Sequence, residues 1–154
     1  MANDYPKTVQ EVLVEGKKYR PAALRAVRKF AKSKPWSESL SERQTRFRQL
    51  NHDLAGAYGV AEPQLVFGKI NRDGDDSGSS CYIPAVQAIV VRGKLSVVTY
   101  LHEFAHHLYG HDERIACRWS VNLFRRCFPK SWEKLCFEGH MARRIAPSAA
   151  DTTD

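Results

Sequence analysis

Between Ser96 and Gly110 the chain carries a helical hydrophobic period, with Val97, Val98, Leu101, Phe104, Ala105 and Leu108 on its apolar side. A stripe of that kind must be buried against other elements. Ser96 is placed to cap the helix and Gly110 to end it. The same helix holds His102, Glu103 and His106. Positions i and i+4 lie one turn apart on one face, so two imidazoles can be directed at a single ion. A carboxylate beside them can take a proton from a water held by the ion without binding the ion itself. The helix predicted over 97–109 is therefore both a core element and a candidate Zn2+ site.

A catalytic zinc takes three protein ligands and keeps one position open. After His106 the candidates are His107, His111, Asp112 and Glu113. His107 is turned about 100° around the helix and points elsewhere. Glu113 would lie about 10 Å farther along an unbroken helix, so it reaches the ion only if the chain reverses at Gly110. Asp112 reads as the cap of a following helix over 113–127 and His111 as a turn residue, and both stay open as third ligands beside Glu113.

Upstream, residues 21–34 and 41–58 have helical periods, with Ser37 or Ser41 as the cap of the second and Gly59 as its stop. Residues 64–67 read as a strand, 71–80 as a loop, and 81–83 with 86–91 as one or two more strands. A turn follows at Arg92-Gly93-Lys94. Residues 131–137 form a short aromatic segment, and residues 1–16 and 146–154 are expected to be flexible ends. Helices, a small sheet and two further helices make an α+β fold, and 154 residues suit a single domain over 1–154.

The stretch LHEFAHHLYGHDERIACRWSVNLF, residues 101–124, resembles the HExxH helix and Glu-x-x-Ala helix of gluzincin-type zinc metallopeptidases. It is most similar to the ImmA/IrrE group, whose upstream helix ends in a Tyr-Gly-x-x-x-Pro phrase matched here by Tyr58-Gly59-Val60-Ala61-Glu62-Pro63. The resemblance covers roughly residues 45–128. It implies a zincin-like domain with a mixed sheet, His102 and His106 as zinc ligands, Glu103 as general base and Glu113 on the third-ligand helix. It also implies hydrolysis of a protein or peptide substrate paired along residues 86–91 as a sheet edge. Two features depart from the group: the His106 to Glu113 spacing is short, and Cys117 stands where its Glu-x-x-Ala-Asn form has Asn. In size and basicity the chain is also similar to SprT-like peptidases, whose third ligand is a histidine, which would promote His111 or His140.

Net charge is +7, yet residues 17–34 alone hold eight Lys and Arg and no acid. That segment is a candidate contact for nucleic acid phosphates, with a DNA-associated peptidase or a non-catalytic zinc-containing binding module as alternative functions. No apolar run is long enough for a membrane span, and the N-terminus does not read as a secretory signal, so a cytoplasmic protein is expected. The four cysteines form no CxxC pair and are expected reduced, most of them buried, although Cys81 could reach the zinc. Asp73 opens a calcium-like loop whose twelfth position is Pro84, which cannot supply the required carboxylate. His52 and Arg118 read as surface groups.

Overall fold

The computed structural model describes residue 6 and residues 8–37, 39–68, 80–92, 95–138 and 141–144. Most of the expected loop over 71–80, the Gly93-Lys94 turn, His140 and residues 146–154 lie outside them. Among the described residues the architecture is α+β, with five α-helices, a three-stranded mixed sheet and a separate two-stranded ladder.

The first two helices, α1 (Pro21–Lys32) and α2 (Leu40–Tyr58), pack together through Phe30 and Phe47, whose rings meet edge to face at 4.8 Å. Ser39, rather than Ser37 or Ser41, caps α2. Its hydroxyl accepts from the Glu42 N–H while the Glu42 carboxylate accepts from the Ser39 N–H. That reciprocal pair satisfies two groups the helix start would otherwise leave open, which is why the serine three residues before a glutamate wins. Gly59 ends α2 at φ 64°, a left-handed conformation suited to glycine.

Strands β1 (Gln64–Phe67), β2 (Cys81–Ile83) and β3 (Ala88–Val91) form the sheet in the order β1-β3-β2. Strand β3 runs parallel to β1 and antiparallel to β2. The run 86–91 is therefore not a sheet edge: its last four residues are the central strand, buried at Ala88, Ile89 and Val91. The nearly continuous apolar run is what a strand flanked on both sides requires, and among the described residues the edges fall to β1 and the shorter β2.

Helix α3 (Val97–Tyr109) is a core element, with Tyr100, Leu101, Phe104 and Ala105 fully buried. Beside it lie α4 (Glu113–Cys127) and the single turn α5 (Pro129–Trp132). Phe104 stacks on Trp119 of α4, with ring centroids 6.2 Å apart and planes 23° from parallel. Buried Asn51 joins three parts of the fold, donating to the Pro63 carbonyl at 2.8 Å and accepting from the Tyr100 hydroxyl at 2.7 Å. Residues 135–137, read as the end of an aromatic segment, belong to strand β4 (Leu135–Glu138), paired antiparallel with β5 (Met141–Arg144).

Residues 8–16 pack against the domain. Val12 is fully buried with Cys117 and Val121 of α4. Asn122 accepts from the Val14 N–H at 2.9 Å and donates to the Val12 carbonyl at 2.8 Å. Part of the basic segment serves the fold. Arg20 donates to the Ala57 carbonyl and lies over the Tyr58 ring, and Lys29 pairs with Asp53 at 3.6 Å. No helix among the described residues is long and apolar enough to cross a membrane.

Candidate metal centre

Capping decides where the ligands stand. The Ser96 hydroxyl accepts from the Thr99 N–H and starts α3, and the Asp112 carboxylate accepts from the Ile115 N–H at 3.0 Å and starts α4. Between them Gly110 takes φ 92° and ψ −162°. That region is essentially closed to residues with a side chain. The turn folds α4 back onto α3 and brings Glu113, on the first turn of α4, to the histidines.

Glu113 Oε1 lies 2.9 Å from His102 Nε2 and 3.2 Å from His106 Nε2, and the two nitrogens are 3.2 Å apart. A tetrahedral ion with bonds of about 2.0–2.1 Å separates its ligand atoms by about 3.3 Å, so the triangle is close to the size that zinc needs. Two imidazole nitrogens and one carboxylate oxygen are also the donor types of open catalytic zinc sites. Among the described residues, His102, His106 and Glu113 are the group of potential ligands whose atoms converge.

Second contacts orient the rings. His106 Nδ1 is 2.7 Å from the Gly110 carbonyl, which can only accept, so Nδ1 carries a proton and Nε2 is the nitrogen turned toward a metal. His107, as its helical angle requires, turns away: Nε2 donates to the Ala61 carbonyl at 2.7 Å, and Nδ1 accepts from the Tyr82 hydroxyl at 2.8 Å. This pair ties α3 to strand β2. Asp112 is used as a cap and His111 is exposed, and neither belongs to the converging group.

Glu103 is buried at 7 % exposure and shares with His106 and Glu113 a cleft of about 320 Å³. Burial, and then the negative charge of Glu113, push its carboxyl up to about 8. A cation at the neighbouring ligands acts in the opposite sense. The other wall of the cleft is Ser80, Cys81, Tyr82 and Pro84, with His111 at the turn. Cys81 thus faces the same space as the ligands without belonging to their converging group.

Cys117 is a neighbour that spacing arguments passed over. Its thiol is 3.7 Å from His102 Nδ1 and is pushed up to about 12, first by burial and then by the charge of Glu113, so it remains S–H. The signal was present, because Cys117 is four residues after Glu113 and shares its face of α4.

The turn is open to a direct test. A methyl group on Gly110 would meet no atom within 4 Å, so the cost of Gly110→Ala is conformational. A loss of about 1–3 kcal/mol in urea denaturation is expected, together with weaker zinc binding, since the Gly110 carbonyl orients His106. Unchanged stability and unchanged affinity would show that the turn is not what assembles the site. Comparison with protein-family models, with curated proteins and with solved structures finds no match for this chain, so its function has to be read from the site.

Proposed function

We propose that this chain is a zinc-dependent peptidase with a zincin-like domain, in which His102, His106 and Glu113 hold the metal and Glu103 is the general base. The observation that carries the reading is the convergence of the three ligand atoms beside a buried carboxylate in one open cleft. When bound, zinc supplies Lewis acidity to a peptide carbonyl and acidifies a water. Glu103 accepts a proton from that water as the oxygen attacks the carbonyl carbon. It then passes the proton to the leaving amine nitrogen as the C–N bond breaks.

The substrate class follows from the cleft wall. Among the described residues strand β2 has a neighbour on one side only, and Cys81 and Tyr82 of that strand line the cleft. An extended peptide pairing with this free edge would lie across the metal helix, bound mainly through its main chain. Glu113 as third ligand favours the gluzincin resemblance over a SprT-like site, which would call on a histidine.

The deciding measurement is the zinc content of the purified chain, with hydrolysis of casein followed before and after chelation and on re-addition of zinc. One zinc per chain and chelator-sensitive, zinc-restored cleavage are expected. A chain without stoichiometric zinc would remove the proposal, and zinc without cleavage of any protein would move the site to the binding-module class.

A further inference from the structure

The basic run over 17–34 does not stay together in the fold. Arg20 donates to the Ala57 carbonyl and Lys29 pairs with Asp53, whereas Lys17 and Lys18 lie across from a basic face of α4. On that helix Arg118, Asn122, Arg125 and Arg126 stand at positions i, i+4, i+7 and i+8, so they share one side, turned away from that of Glu113 and Cys117. Between this face and the segment 14–19 runs a groove of about 590 Å³, lined by Lys17, Lys18, Tyr19, Arg125 and Arg126 with buried Asn122. Its two walls are tied together. Asn122 bonds the backbone of Val12 and Val14, and Arg126 donates to the Lys17 carbonyl at 2.8 Å.

The charge in the groove is unbalanced. Glu15 also lines it and is taken by Arg125 at 2.9 Å. Among the described residues Lys17, Lys18, Arg118 and Arg126 have no carboxylate partner. Burial, and then the positive charge of Arg118, hold the Lys17 ammonium below its usual range, as cations gathered without an anion between them require. From Arg118 to Arg126 the helix rises about 12 Å. One strand of a duplex presents a negative charge about every 3.4 Å, so that length faces about three phosphates, where a single phosphate group would leave cations unmatched. We propose that this groove binds the phosphate backbone of nucleic acid through Lys17, Lys18, Arg118 and Arg126. Bases are not read. The Tyr19 hydroxyl donates to the Trp119 carbonyl at 2.7 Å and its ring is covered by the Lys17 ammonium, 5.3 Å from the centroid, so the groove lining offers no aromatic platform for stacking. The inference goes beyond the peptidase reading and does not depend on the metal.

Fluorescence anisotropy of the full chain with a labelled DNA duplex tests it, with and without a chelator, so that a missing metal and a missing groove are told apart. Three neutralised phosphates give a slope of about −2.7 in log affinity against log salt, a loss of about 40-fold between about 50 and 200 mM. Lys17→Gln/Arg118→Gln should bind more weakly at the lower salt and show a slope shallower by about 0.9 for each contact removed. Arg25→Gln/Lys32→Gln takes the same charge from α1 outside the groove and should leave the slope near that of wild type. A second duplex of unrelated sequence should bind as tightly as the first. Wild type that leaves the duplex unbound or binds it without salt dependence, a groove variant that matches wild type, or an α1 variant that weakens binding as much would each overturn the proposal. Binding to vesicles containing phosphatidylserine in place of the duplex would also overturn it and give the groove to a lipid surface. The salt slope of wild type does not depend on whether either variant folds.

Discussion

Replacing Glu103 by glutamine is expected to leave zinc bound at the wild-type level and to lower peptide hydrolysis by about 10²–10⁴-fold, the contribution of a positioned general base. Glutamine has nearly the same shape, so the buried position between the ligands and the cleft is still filled. What is lost is the ability to take and return a proton. His102, His106 and Glu113 are untouched, and their atoms converge without help from Glu103. The check is metal content by atomic emission beside kcat/KM on a fluorogenic peptide. Full activity in the variant would remove Glu103 from the mechanism, whereas loss of zinc would make it a structural support of the ligands. A fall in kcat with KM and zinc unchanged is the pattern of an interaction made in the transition state.

How much of this was legible in the sequence divides along the range of the interactions. The ends of α3 and α4 are set by Ser96, Gly110 and Asp112, each acting on backbone groups within a few residues, and the expected boundaries agree with the structure. The spacing of His102 and His106 is likewise local, since a helix puts positions four apart on one face. Even the cap of α2 was readable, because Glu42 marks Ser39 through the capping box.

Beyond the choice of Ser37 or Ser41 as that cap, what was missed is non-local. Val12 lies in a segment that resembled a loose end, and it is buried because Asn122, 110 residues away, bonds its carbonyl. Pairing order in a sheet is also invisible to a single run of residues, and so the central strand β3 was taken for an edge. The Cys117 contact belongs to both kinds. Its place on the face of Glu113 is local, while its approach to His102 requires the reversal at Gly110 and the packing of α4 on α3.

That reversal makes the third ligand the sharpest discriminator between readings. Glu113→Ala is expected to weaken zinc binding by more than the roughly 10–100-fold attributed to outer-shell partners, because it removes a ligand atom rather than a support. Glu113 Oε1 is the atom to which both Nε2 nitrogens are drawn, at 2.9 and 3.2 Å. His111→Ala should leave affinity near wild type, since His111 stands exposed on the cleft wall outside the converging group. Asp112→Ala separates the remaining case: loss of the α4 cap should cost about 1 kcal/mol of stability with no comparable loss of metal. Chelator competition on the three variants, each with a urea denaturation curve, reads these outcomes independently. A zinc site that survives Glu113→Ala and fails in His111→Ala would transfer the third position to histidine. With it would go the SprT-like reading, in which the basic segment 17–34 becomes the part to test against DNA. Loss confined to Glu113→Ala keeps the ligand set at two histidines and a glutamate, assembled by one glycine turn.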